Sequence, residues 1–188
     1  LQVLQIYRSQ ATLLEPLPAS LGESVSMNVT EPQNIRLKLE NPGNGIDEFI
    51  LTAQANPISG ETTAPPVTFN FISQEQRSLG PLAYTIATVE VTLGADVPAQ
   101  TPIHLEFYWT SLGDTSVSDM VTLLVEAEPD HRWDINITSG SELLVSPEEV
   151  VTVDFSAMNT GNANDTLRII PTFTCLLYTS DAADDWSS

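Results

Sequence analysis

Asn34-Ile35-Arg36-Leu37-Lys38-Leu39-Glu40-Asn41-Pro42-Gly43-Asn44-Gly45-Ile46-Asp47 sets an alternating run directly against a turn. Ile35, Leu37 and Leu39 fall on one side of an extended chain, and Arg36, Lys38 and Glu40 on the other. That is the period-two pattern of a half-buried β-strand. The turn, Asn-x-Gly-Asn-x-x-Asp over Asn41–Asp47, recurs as Asn159-Thr160-Gly161-Asn162-Ala163-Asn164-Asp165. The second copy also follows an alternating run, Val153, Phe155 and Ala157. Apolar stretches come after both, Phe49-Ile50-Leu51 and Leu167-Arg168-Ile169. A matched turn between matched strands, at about one domain length, indicates tandem copies of one β-rich module.

Outward from this stretch the chain reads almost entirely as strands. Leu1–Tyr7 is expected to be the first, followed by a Pro-punctuated connection over Arg8–Ser20. Further strands are expected at Ser24–Val29, Asn34–Glu40, Asp47–Ala53, Val67–Ile72, Tyr84–Leu93, Pro102–Thr110 and Val117–Glu126. Asn56–Pro66 is a loop rich in Gly, Thr and Pro. No stretch of about a dozen residues has a helical period. Short alternating strands in this number predict an all-β fold of tandem immunoglobulin-like β-sandwiches, the second truncated. The first module spans 1–127 and a short Pro-stiffened linker spans 128–132, Ala127-Glu128-Pro129-Asp130-His131-Arg132 being its sequence context. The second module spans 133–174, with strands expected at Trp133–Thr138, Glu142–Val145 and Val150–Ala157 and with Trp133 at the junction. Half a sandwich leaves its inward faces uncovered, so module two is expected to be unstable, and a melt with two cooperative transitions would refute this.

The 188 residues carry 25 acidic and 6 basic side chains, a net charge of -19, with Lys38 the single lysine. So negative a surface repels phosphate backbones and anionic lipids, which argues against nucleic-acid and membrane-surface partners. Self-repulsion would be screened in strong salt, where the Debye length falls to ~3 Å at about 1 M. A saline habitat, divalent cations at the surface, or plain solubility each fit. The one cysteine, Cys175, leaves residues 1–174 without thiol or disulfide chemistry. No apolar run reaches the ~20 residues of a membrane span. The chain begins at Leu1 rather than Met, as a fragment or a processed product would. Residues 175–188, Cys175-Leu176-Leu177-Tyr178-Thr179-Ser180-Asp181-Ala182-Ala183-Asp184-Asp185-Trp186-Ser187-Ser188, break the β pattern and resemble a translated sequencing adapter of the kind found at the ends of metagenomic reading frames.

Val89–Leu105, with Ala95-Asp96-Val97-Pro98-Ala99 at its centre, resembles the late strands of prokaryotic, including archaeal, surface sandwich repeats. It is similar to the CARDB-type cell-adhesion-related domain and to the NPCBM-associated domain of alpha-galactosidase. The Asn-x-Gly-Asn-x-x-Asp hairpin looks like the early turn of the same group. The resemblance spans Ile35–Glu126 and again Val150–Ile170. It implies a stalk, spacer or adhesion unit at the cell surface or outside the cell.

The repeated turn has two readings. In the structural one Gly43 and Gly161 supply positive φ, while the side chains of Asn41 and Asn159 cap the turn. Asn44, Asp47, Asn162 and Asp165 complete the motif. In the other, Asp47 or Asp165 helps to hold calcium, but Ca²⁺ wants six to eight oxygens and one carboxylate per loop is too few. Sequons at Asn28, Asn136 and Asn164 offer glycosylation acceptors. Enzyme motifs are missing: His104 and His131 stand near no G-x-S-x-G, and there is no H-E-x-x-H, C-x-x-C or phosphate-cradling glycine loop. Phe107 and Trp109 share a face with Ile103 and Leu105 and read as core, leaving Tyr108, beside His104 and Glu106, as the outward aromatic. The expected role is a non-catalytic structural or adhesive module of a secreted or surface repeat protein. Its expected partners are neighbouring repeats and a surface glycan or protein, without cofactor. The alternative is an accessory or carbohydrate-binding module of a secreted polysaccharide-acting hydrolase.

Overall fold

The structure, a computed structural model, describes residues 4–20, 22–57, 65–139 and 150–170. Alternation of apolar and polar side chains decides where its strands lie, because a strand with one wet face must bury every second residue. The strands are β1 (Gln10–Glu15), β2 (Val25–Met27), β3 (Gln33–Glu40), β4 (Asp47–Pro57), β5 (Val67–Phe71), β6 (Gln76–Leu79), β7 (Tyr84–Leu93), β8 (Pro102–Ser111), β9 (Ser118–Ala127), β10 (Trp133–Ile137) and β11 (Phe155–Asn159). No helix occurs among the described residues.

Two sheets face one another, β1-β3-β7-β5 and β2-β9-β8-β4-β6. Their neighbours run antiparallel except β2, which lies parallel to β9 through Val25↔Val125. This is an immunoglobulin-like sandwich. After β4 the chain crosses to the other sheet for β5, returns to lay β6 beside β4, and crosses again to β7. The inner faces close over one core. Ile35 and Leu37 of β3 and Val89 and Val91 of β7 come from one sheet, and Leu105, Phe107 and Trp109 of β8 from the other. Trp109 stacks on Phe49 with centroids 4.9 Å apart, and its indole N–H donates to the Glu40 carbonyl at 3.3 Å. Phe107 meets Phe69 edge-on across the sheets. Cys175, the one cysteine, lies outside the described residues, and the sheets are joined by packing and by bonds such as the Ala11 N–H to Asp119 Oδ2 at 2.8 Å.

Several expectations need correction. Leu4–Ser9 is not a strand; the first strand is Gln10–Glu15, inside the stretch expected to be a connection. The alternation of Ala11 and Leu13 is short, and the backbone of Leu4 and Ile6 bonds to a turn rather than to a sheet. β6 was not expected, since Gln76-Arg77-Ser78-Leu79 is an edge strand that buries only Leu79. Near the second turn, strand structure begins at Phe155 rather than Val150. The expected strand Glu142–Val145 and the tail 175–188 lie outside the described residues.

β10 and β11 form a separate two-stranded sheet. Its register pairs Ile135↔Ala157 and Ile137↔Phe155. In the first sheet Ala11↔Leu39 and Leu13↔Leu37 are paired in β1 and β3. Ala157 stands two residues before Asn159, as Leu39 stands two before Asn41, so the second pair repeats the first in position as well as in sequence. Every residue of β11 is exposed, in contrast to β3, whose inward positions are closed off.

Candidate functional site

The two Asn-x-Gly-Asn-x-x-Asp turns carry the same hydrogen bonds. Asn41 ends β3, where the chain must leave the sheet. Its Oδ1 accepts from the Gly43 N–H at 2.9 Å and its Nδ2 donates to the Gly45 carbonyl at 2.9 Å. Asn159, ending β11, repeats both, with Oδ1 to Gly161 N–H at 3.0 Å and Nδ2 to the Ala163 carbonyl at 2.8 Å. Asp47 Oδ1 accepts the N–H of Glu48 at 2.8 Å, and Asp165 Oδ1 that of Thr166 at 2.6 Å. Such side-chain caps satisfy backbone groups that the sheet no longer pairs.

The remaining asparagine reaches outside the turn. Asn44 Oδ1 accepts from the Ile6 N–H at 2.7 Å, and its Nδ2 donates to the Leu4 carbonyl at 2.9 Å. Asn162 does the same to the linker, with Oδ1 to Asp130 N–H at 2.7 Å and Nδ2 to the Glu128 carbonyl at 3.0 Å. The backbone joins in, since Asn44 N–H donates to Ile6 and Asn162 N–H to Asp130. Each turn is therefore a clasp on the segment that leads into the following β-strand. A planar amide offers an acceptor and two donors, so one asparagine can bracket a peptide two residues apart.

The glycines serve this contact. Neither Gly43 nor Gly161 has positive φ, which overturns the conformational role expected of them. A Cβ on Gly43 would run into the carbonyl oxygen of Ile6, and one on Gly161 into that of Asp130. The motif needs glycine because the clasped segment passes against its Cα. Positive φ falls instead at Gly22, Thr30, Leu82 and Gln100.

The copies differ in burial. Asn41 is only 1% exposed, and its Nδ2 also lies 3.0 Å from the Leu79 carbonyl and 3.2 Å from that of Gly80. Asp47, 6% exposed, accepts from Ser111 Oγ at 2.6 Å and from the Gly113 N–H at 3.2 Å. Asp165 faces the Trp133 indole N–H at 3.3 Å and His131 Nδ1 at 3.3 Å. The Thr166 N–H, then Trp133, hold the Asp165 carboxyl below the usual aspartate range. Tyr7 and Asp47 both lie against Gly113, and Tyr7 holds the position in its segment that His131 holds in the second. Both carboxylates thus accept hydrogen bonds inside and beside their turns. Among the described residues no group of three metal-ligating side chains occurs.

Elsewhere, Tyr108 donates to Glu106 Oε2 at 2.6 Å and Gln54 Nε2 donates to the same oxygen at 2.7 Å, on the outer face of β4 and β8. The hydroxyl of Tyr108 first, then Gln54, lowers the Glu106 pKa, while Glu106 raises that of the phenol. His104 is on this face, apart from His131. The sequon asparagines Asn28, Asn136 and Asn164 are all exposed. The linker residues held by the clasps were not legible in advance, because the partners are backbone atoms of Leu4, Ile6, Glu128 and Asp130. Arg8 and Arg132, each just past a clasped segment, are a thin signal that the two segments correspond.

No family model and no curated protein matches the sequence. Among solved structures, the FixG-related protein from Vibrio parahaemolyticus is 11% identical, with 64% of this chain and 95% of that one covered at a TM-score of 0.42. Native alpha-2-macroglobulin from Escherichia coli, from domain MG7 to the C-terminus, is 9% identical at a TM-score of 0.43 and is covered over 19% of its length by 70% of this chain. The ASH/PapD-like domain of human CEP192 is 14% identical at 0.37, with 64% and 84% covered. Likeness at this level assigns neither family nor activity.

Proposed function

We propose that this chain is a non-catalytic spacer or adhesive segment of a secreted or cell-surface protein built from tandem immunoglobulin-like sandwiches, with a second sandwich starting at Trp133. The observation that carries this reading is the duplicated clasp. In both copies the same asparagine holds the incoming segment by the same two bonds, and the strand pair behind it has the same register. A device that fixes a linker to the module it enters has an evident use in a stalk, where module orientation must persist along the chain. The CARDB-like and NPCBM-associated-like segment Val89–Leu105 supports the same class of role. Reading the source DNA beyond the codons for residues 170–188 tests it. Further Asn-x-Gly-Asn repeats with an anchoring or sorting segment are the expected result, and a domain with a recognisable active site would overturn it.

The outer-face cluster of Gln54, Glu106 and Tyr108 favours one alternative, a carbohydrate-binding or accessory module of a polysaccharide-acting hydrolase. Bonds among the three hold the phenol ring in place, as sugar stacking requires. Glycan-array binding that disappears in Tyr108→Ala would establish it, and no binding by the parent chain would dismiss it.

A further inference from the structure

The junction at the linker contains one more contact. The Ala99 N–H donates to the carbonyl of Asn162 at 2.9 Å, so the Asp96–Gln100 turn of the first sandwich rests on the second clasp. That turn is itself pinned, because the Gln100 N–H donates to Ala127 at 3.1 Å, the last residue of β9 and the point where the linker departs. Turn, strand end and linker leave the sandwich as one rigid pole, which meets Asn162 on two sides.

The first clasp is built alike yet half occupied. Leu4 and Ile6 stand to Asn44 as Glu128 and Asp130 stand to Asn162. Among the described residues, however, no N–H reaches the Asn44 carbonyl. Ile46, two residues past Asn44 as Asn164 is past Asn162, is 71% exposed. At the second clasp Pro98 and Ala99 of the first sandwich stand beside Pro129, His131, Ala163 and Asn164.

We infer that Leu4–Arg8 is itself an inter-module linker and that the Asn44 pole of the first sandwich is a docking face for a preceding sandwich of the same kind. The occupant is the backbone of a Pro-Ala turn like Pro98-Ala99, whose free N–H bonds the Asn44 carbonyl while its apolar side chains lie over Ile46, the counterpart of Asn164. This rests on the spacer reading. It adds that the joints are stiff, with each one made by a clasp on the downstream module and a turn on the upstream one.

The test fuses residues 1–127 ahead of Leu4 of the full chain, which reproduces the step from Ala127 to Glu128. Hydrogen exchange is then followed at the Ala99 amide of the upstream copy. Docking predicts protection, together with shifted resonances at Asn44–Ile46 of the downstream copy. Asn44→Ala in that copy, an exposed change that leaves the core intact, is expected to cut the protection by about tenfold or more. An upstream Ala99 amide that exchanges at the rate of a free peptide N–H, in a fusion whose two sandwiches are both folded, would overturn the inference. The spacer reading would survive that result with flexible joints, and it fails separately if the flanking DNA encodes an enzyme.

Discussion

At the scale of single residues, contact distances explain the motif better than backbone conformation does. Gly43 has no need of the left-handed region; it needs to lack a Cβ where Ile6 crosses it. Gly43→Ala is therefore expected to cost about 1–3 kcal/mol, the usual penalty for forcing an atom into a packed contact. Gly80→Ala provides the control, since a Cβ there meets nothing within 4 Å, and it should stay within about 0.5 kcal/mol of the parent in urea denaturation. Equal effects at the two positions would sink the crowding argument. The cluster at Tyr108 gives a second residue-scale prediction. The Tyr108 hydroxyl is the largest influence lowering the Glu106 pKa, so Tyr108→Phe should move the Glu106 titration upward, toward the ordinary glutamate range. A folded carboxyl held low contributes stability above its unfolded pKa and loses it as pH falls through the folded value. The variant should thus lose slightly more stability at neutral pH than in acid. The effect is small, because both groups face solvent. Carbonyl-detected NMR of Glu106 against pH would show the shift, and an unmoved midpoint would count against the bond.

At the scale of elements, β8 is the strand on which the sandwich depends most. Ile103, Leu105, Phe107 and Trp109 are all closed off, and β8 lies between β4 and β9 at the middle of the five-stranded sheet. Leu105→Ala should lower unfolding free energy by about 2–5 kcal/mol, a large part of a small domain's stability. A loss well under about 1 kcal/mol would mean that the core packs loosely there. The same strand shows what the sequence made legible. Alternation over Pro102–Thr110 placed its buried face correctly, as it did over Asn34–Glu40, because period two has only one reading when both faces differ so sharply. β1 and β6 were hidden for opposite reasons. β1 sits at an edge with a short apolar signal, and its apolar neighbours Leu4 and Ile6 looked more strand-like than Ala11. β6 carries one buried side chain, and its place beside β4 is set by tertiary pairing. The repeated turn was visible as a repeat, and its asparagine caps were anticipated. The grip of Asn44 and Asn162 on the linkers was not, since one half of each bond belongs to backbone that leaves no trace in side-chain pattern.

At the scale of the whole molecule, charge and modular connection dominate. With a formal net charge of -19, the folded chain repels itself, and salt should relieve this. The melting temperature is expected to rise between roughly 0.1 M and about 1 M NaCl, as the Debye length falls from about 10 Å to about 3 Å. A flat or falling profile would show that the acidic groups are too dispersed to matter. The central claim concerns the joints: each Asn-x-Gly-Asn-x-x-Asp turn fixes the segment entering its module. Backbone ¹⁵N relaxation of the full chain measures this directly over Leu4–Arg8 and Glu128–Arg132. Neither segment lies in a strand, so the clasps supply most of the bonds that hold them, beside the Glu128 N–H on the Met27 carbonyl at 2.9 Å. Order parameters near those of β3, about 0.85, are predicted for both segments. Values below about 0.6 in both would contradict it and leave the repeated motif as two ordinary turns.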